Sequence, residues 1–282
     1  MSIVSPNFVD KRAALHYRFE GKQEGQMPER FDRRTNWRAY GDLAWTESIL
    51  TSPDEYAEET GYFGKIIQDH SRIEVKTLLH LGCGAGVNDH TFKKSFEVTG
   101  VDVSEGMLEI ARKLNPEVRY IRGDMRNVRL KEMFDAVALP DCIGYMTTER
   151  DLRKATLTAN NHLKPGGVLL IVALVREDFR ENNFVYAGSR GDVEITIFEN
   201  NHACGSRPTT YEATLVYLIR RKGKLEIVSE RHVQGLFPLA TWISLLRDLG
   251  FNVRGAKLDH SYDRFIRHDG KYRLRVFACR KP

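Results

Sequence analysis

Leu78-Leu79-His80-Leu81-Gly82-Cys83-Gly84-Ala85-Gly86 reads as an apolar strand running into a glycine turn, and a second apolar run ends at Asp102, 20 residues after Gly82. A strand, a glycine loop and a carboxylate at about that distance are how an α/β sheet grips a nucleotide-like ligand. The glycine spacing selects among such ligands. A dinucleotide fingerprint places its third glycine five residues after the first, to let helix and strand close beneath a pyrophosphate. Val87 occupies that place, and the third glycine comes one residue earlier, at Gly86.

Outward from this loop, residues 75–175 alternate strand and helix patterns, which predicts a parallel sheet covered on both faces. Strands are expected at 75–81, 97–103, 118–121 and 134–139. Ser104 follows the second as an N-cap with Glu105 in the first turn, and Met107, Leu108, Ala111 and Leu114 supply the buried stripe of that helix. Thr148 and Asp151 form a capping box for a helix that buries Leu152, Ala155, Ala159 and Leu163. Lys164-Pro165-Gly166-Gly167 is expected to stop it and turn into a wholly apolar central strand. After Val175 the period changes to two, with β-rich runs at 193–199, 214–219 and 225–233, the last two joined through Lys222-Gly223-Lys224. This predicts an inserted antiparallel layer. Pro238 in a first turn, Leu239, Trp242, Leu245, Leu246 and Leu249 on one face, and Gly250 as a stop restore helix. Two closing strands, near 252–258 and 273–279, complete the sheet. The expected fold is α/β: a Rossmann-like, seven-stranded, mostly parallel sheet with helices on both faces and an inserted antiparallel β layer. The division is 1–36 as an N-terminal arm or lid segment, 37–174 as the core, 175–235 as the insertion and 236–282 as the completion of the core.

Composition excludes several classes. The longest apolar stretch, Val168 to Val175, falls far short of the ~20 residues of a membrane-spanning helix. Asp10, Lys11 and Arg12 stand where a signal peptide would be apolar, so a cytoplasmic location is expected. Cys83, Cys142, Cys204 and Cys279 are far apart, so reduced thiols are expected and no metal site. Residues 251–282 hold nine Lys or Arg against three Asp. That excess could face an anionic partner, but a solvated face is the simpler reading because no nucleic-acid motif accompanies it.

The pattern at 78–86 resembles motif I of the class I S-adenosylmethionine (SAM) dependent methyltransferases. The resemblance implies SAM as cofactor, with Gly82, Gly84 and Gly86 freeing backbone for it and Asp102 accepting from the ribose hydroxyls. It implies Asp124 on the adenine amino group, Met125 as backbone donor and apolar contact, and Val103, Met107 and Pro140 as further cofactor neighbours. The Lys164-Pro165-Gly166-Gly167 turn is common at that point in the class. One departure is His80, where such enzymes usually carry an acid. It either alters cofactor binding or hydrogen-bonds locally.

The chain is similar, more narrowly, to the small-molecule branch that includes the amino-sugar N,N-dimethyltransferases of macrolide biosynthesis. The likeness rests on Asp141-Cys142-Ile143-Gly144-Tyr145, Phe184-Val185-Tyr186-Ala187-Gly188 and Glu230-Arg231-His232-Val233 with the Gly-Leu-Phe that follows. It implies methyl transfer to nitrogen or oxygen of a small polar metabolite. Those sugar enzymes tend to have histidine where Tyr145 stands. Candidate proton acceptors are Tyr145, His232 and Asp141, although a neutral amine needs alignment more than a base. Tyr40 and Trp45 fall where related enzymes place a lid over SAM, as cation–π cover or as core. Residues 140–146 match neither the amino-methylating tetrad nor the Pro-Cys nucleophile of base-modifying enzymes, so nucleic acid is a disfavoured partner. An RNA or protein methyltransferase and a SAM-binding module without turnover stay open, as does the oligomeric state.

Overall fold

In the computed structural model, residues 37–203, 208–259, 262–267 and 271–282 are described. The arm at 1–36 and Cys204 lie outside the described residues.

The chain runs through short helix α1 (Glu47–Leu50), α2 (Ala57–His70), β1 (Thr77–Leu81), α3 (Asp89–Phe92), β2 (Glu97–Asp102), α4 (Glu105–Leu114), β3 (Arg119–Arg122), β4 (Phe134–Pro140), α5 (Glu149–His162) and β5 (Leu163–Ala173). Four long strands follow, β6 (Asn182–Arg190), β7 (Val193–His202), β8 (Thr210–Arg221) and β9 (Lys224–Gly235), then α6 (Leu239–Asp248), β10 (Asn252–Leu258) and β11 (Leu274–Arg280). The main sheet has seven strands in the order β10-β11-β5-β4-β1-β2-β3, and β6 to β9 form a separate four-stranded sheet. β11 runs antiparallel to both neighbours, while the pairs among β1 to β5 are parallel. The expected architecture is observed, with one strand, β6, more than the alternation in the insertion had indicated.

Strand alternation sorts the core into two layers. Leu78, Ala136, Leu170 and Val172 point to the face covered by α2 and α4 through Phe63, Ile67, Leu108 and Ala111. Leu79, Leu81, Val137, Leu139 and Ile171 point to the face covered by α5 and α6 through Leu152, Ala155, Trp242 and Leu246. Trp242 is in the core as its helical register required.

The helix caps form as expected where a side-chain oxygen stood ready. The Ser104 hydroxyl accepts from the Met107 N–H, and Thr148 accepts from the Asp151 N–H. Pro238 is the N-cap of α6 and not its first helical residue. Lys164-Pro165-Gly166-Gly167 does not separate α5 from a later strand. β5 already begins at Leu163 opposite Phe134, and the four residues form an irregularity before pairing resumes at Val168 opposite Ala136. They belong to the amino end of the strands, where Lys164 Nζ donates to Asp135 at 2.8 Å and a Cβ on Gly167 would stand 2.3 Å from the Asp135 carbonyl oxygen. That turn is a packing device, remote from the carboxyl ends where ligands of such sheets sit.

Candidate active site

The glycine loop leaves the carboxyl end of β1 with Gly82, Gly84 and Gly86 at φ of 75°, 53° and 74°, a region that other residues rarely adopt. Their missing side chains serve different ends. A Cβ on Gly82 would come within 2.7 Å of Cys142 Sγ, and one on Gly86 within 2.5 Å of the Tyr120 hydroxyl. On Gly84 it would meet nothing nearer than Met107 Cε at 3.8 Å. The outer two glycines permit close packing, and the middle one leaves a free stretch of backbone for a ligand.

Asp102 ends β2 facing this loop. One carboxylate oxygen accepts from the Gly84 N–H and the other from the Ser104 N–H, each at 2.8 Å. Burial raises its carboxyl from the usual value, and those two amides work against the rise. Each oxygen keeps a further lone pair for hydroxyls. An adenosyl group therefore fits this end: a tethered diol acceptor, an open glycine and the apolar Met107 lie together. Val103 is 53% exposed beside them. Met125 packs toward the α5 face of the sheet. Asp124 accepts from the N–H and guanidinium of Arg126; burial would raise its carboxyl, but Arg126 holds it below the usual range.

His80 resolves locally. Its Nδ1 lies 2.6 Å from Asp89, whose other oxygen accepts from the Tyr120 hydroxyl at 3.0 Å. Both His80 and Asp89 are fully enclosed, so this pair pins β1 to α3 beneath the loop.

Residues 37–46 cross over the loop from β9 to α4. The Ser104 hydroxyl donates to the Tyr40 carbonyl, Ala44 packs on Ala85 and Met107, and Gly106 is small enough to admit the Tyr40 and Gly41 carbonyls at 3.3 and 3.2 Å from where its Cβ would be. The two lid aromatics part company. Tyr40 turns inward, and its hydroxyl lies 2.5 Å from that of Tyr145. Trp45 packs on the insertion, with the Arg221 guanidinium 4.1 Å above its ring.

Tyr145 stands in a 3-10 turn after β4, and its hydroxyl lies 2.9 Å from His232 Nδ1 on β9. Burial, and next Tyr40, raise the Tyr145 phenol well above its ordinary value. It is therefore a neutral hydroxyl near pH 7, able to pass a proton on but not to wait for one as an anion. Trp37 stacks on the His232 ring at 5.0 Å. The Glu230 carboxylate is 3.2 Å from His232 Nε2, within ionic reach but off the line of a hydrogen bond.

Asp141, next after β4, holds a positive φ of 51°, a strained conformation for a residue with a side chain. Its N–H donates to the Val172 carbonyl at 3.2 Å, and its carboxylate accepts from the Tyr262 hydroxyl at 3.1 Å. It lines a cavity of about 140 Å³ with Glu47, Tyr56, Glu59 and Tyr262, which reaches Val87 and Asn88 just past the glycine loop and Pro140 at the strand end. Asp141 remains exposed at this cavity while acids and phenols stand around it. Burial, and then Glu59, lift it to about 7.

The fold thus joins Tyr40, Tyr145 and His232 in one chain of polar contacts, ties Gly84 to Asp102 and sets Asp141 on the cavity that reaches Val87 and Asn88 just past the glycine loop. Asp124 is engaged with Arg126. Sequence reasoning misses Trp37, Glu47, Ser104, Glu230 and Tyr262 as site residues. Ser104 carries a signal in its N-cap position, and Glu230 in its place two residues before His232.

Residues 78–167 match the family model described as a methyltransferase domain. The glycine loop and Asp102 both fall inside that matched stretch, which is similar to a methyltransferase domain. Among curated relatives, the dTDP-3-amino-3,4,6-trideoxy-α-D-glucopyranose N,N-dimethyltransferase of Streptomyces venezuelae is 34% identical over 42% of this chain and 50% of its own length. The dTDP-4-amino-2,3,4,6-tetradeoxy-D-glucose N,N-dimethyltransferase of Saccharopolyspora spinosa is 29% identical over 71% of this chain and 80% of its own. The match thus spans half the length of the first relative. The crystal structure of DesVI from Streptomyces venezuelae superposes with a TM-score of 0.69 at 24% identity, covering 86% of this chain and 96% of that one. At such identity that likeness speaks for the fold. Among the described residues no helix is long and apolar enough to cross a membrane.

Proposed function

We propose that this protein transfers a methyl group from SAM to the nitrogen of a small polar amine, an amino sugar being the first class to try. One observation carries the reading: the Asp141 carboxylate projects from the end of β4 into a cavity walled by acids and phenols beside the glycine loop. Carboxylates and aromatic faces are what a protonated amine seeks. The curated relatives that act on amino sugars support the same choice.

In this reading residues 37–174 hold the cofactor and the insertion, 175–235, closes the acceptor pocket. Gly82, Gly84, Gly86 and Asp102 hold the adenosyl group. Val103, Met107 and Met125 flank its base, with Asp124 toward its amino group through the Arg126 pair. Pro140 and Tyr40 enclose the methionyl end. When bound, the cofactor supplies a methyl already activated on a sulfonium. The protein must then exclude water, align the acceptor and accommodate one proton. Asp141 draws in the ammonium and can accept its proton, since its pKa lies near neutrality. Tyr145 orients the amine and hands protons to His232.

Nucleic acid is not favoured as the acceptor. Several cations of the closing segment are spent internally: Arg264 meets Glu55 at 2.9 Å, Arg275 meets Asp178, and Lys281 donates to the carbonyls of Asn160 and Leu163 at 2.7 and 2.8 Å. We place the enzyme in the cytoplasm, where nucleotide-linked metabolites are made. The test is incubation with methyl-labelled SAM and paired amino and hydroxy sugars, free and nucleotide-linked. N-methyl product is expected. Label appearing only on oxygen, or on RNA, would overturn the assignment.

A further inference from the structure

We propose that Glu230 is the positioning residue that couples closure of the 37–46 segment to assembly of the Tyr145–His232 pair. This rests on the methyl-transfer reading above. The Glu230 carboxylate accepts the backbone N–H groups of Arg38 at 2.8 Å and Ala39 at 3.0 Å. These belong to the first turn of the short 3-10 helix at residues 38–40, whose N-cap residue, Trp37, gives no side-chain cap. Orphan amides at a helix start need an acceptor, and here it arrives from a strand 192 residues away in sequence. The same carboxylate lies 3.2 Å from His232 Nε2.

The consequence is geometric. A carboxylate beside Nε2 favours the tautomer with its hydrogen there, which leaves Nδ1 as an acceptor for the Tyr145 hydroxyl, and the Tyr145 oxygen as an acceptor for Tyr40. Trp37 stacked on the imidazole completes the arrangement. With the segment lifted away, Glu230 loses two amides, His232 loses its stacking partner and Tyr145 loses Tyr40. Closing over the cofactor and aligning the hydroxyls are therefore one event.

Glu230→Gln keeps the shape but can accept from only one amide while presenting its own N–H₂ to the other. Charged-group hydrogen bonds of this type are strong enough that SAM should bind about tenfold more weakly, about 1.4 kcal/mol. Trp37 emission, isolated by difference against Trp37→Phe, should change in the unliganded variant as stacking on His232 is lost. Arg38→Pro removes the amide donor without touching Glu230, at a helix position that favours proline, and Arg38→Ala, which removes only the guanidinium held by Asp42 and near Glu226, is its control. The proline variant should reproduce both effects, with thermal melts showing it and Glu230→Gln folded. Unchanged Trp37 emission and unchanged SAM affinity in Glu230→Gln and Arg38→Pro would overturn the coupling. Failure of the wild type to bind SAM or transfer methyl would instead sink the underlying function, and the emission result in unliganded protein is independent of that.

Discussion

The hydroxyl of Tyr145 lies 2.9 Å from Nδ1 of His232, joining the turn after β4 to the last strand of the inserted sheet across 87 residues of chain. In the proposed function, the acceptor side is thus built from two layers of the molecule at once. If Tyr145 mainly orients an amine, Tyr145→Phe should reduce turnover less than about tenfold, because alignment carries most of the barrier reduction. Steady-state kinetics with an amino sugar would measure it, and a loss beyond about a thousandfold would make the phenol an obligatory proton carrier.

Asp102 holds the loop through Gly84 and Ser104, and in the proposed function it accepts from the ribose. Asp102→Ala removes the acceptor for Gly84 and Ser104 together, so SAM affinity by calorimetry should fall by more than about tenfold. An unaltered dissociation constant would contradict the proposed cradle.

Tyr40→Ala removes the cover but leaves the carbonyl bond to Ser104. SAM should dissociate faster, by roughly fivefold, as the lid loses its inward aromatic. Stopped-flow release rates provide the measurement; identical rates would return Tyr40 to a packing role.

Asp141 makes a pH prediction with a definite sign. Its folded pKa of about 7 exceeds the ordinary 3.8, so the ionised form opposes folding. The favourable contribution of the protonated carboxyl is complete below about pH 4 and is lost as pH rises through 7. Asp141→Asn should therefore melt higher than the wild type at pH 8 and alike near pH 4, while its KM for an amine rises. A lower melting temperature at pH 8 would show the carboxylate to be structural.

Asp135 behaves oppositely. Burial would raise its carboxyl, but Lys164 and the Thr77 and Lys76 amides hold it down at about 2. Its contribution is present above the ordinary value of 3.8 and lost as pH falls through about 2. Asp135→Asn should cost about 1–3 kcal/mol at pH 7 in urea melts, and a loss that persisted unchanged into strong acid would refute the ion pair as its source.

The fold was legible because its signals are local or periodic. Gly82, Gly84 and Gly86 need positive φ wherever they stand, the Ser104 and Thr148 caps act within three residues, and apolar runs mark the buried strands by themselves. Part of the candidate site was legible too, since Asp102 ends one strand and Asp141 follows another, and their carboxyl ends share one edge of such a sheet. His80 was open between two roles until Asp89 appeared beside it. The Lys-Pro-Gly-Gly turn carried family weight in the sequence, whereas Asp135 and Gly167 show it working at the opposite edge. Tyr40 and Trp45 looked equivalent five residues apart, and only packing sent one inward.

The sequence alone determined the sheet, its glycine loop and the carboxylate facing it, because backbone conformation and apolar periodicity are written in neighbouring residues. Tertiary structure decided how Glu230, His232, Tyr145 and Tyr40 meet and how Tyr262 reaches Asp141. Those contacts join residues up to 192 positions apart, and no short-range pattern encodes a distance that only the folded chain closes.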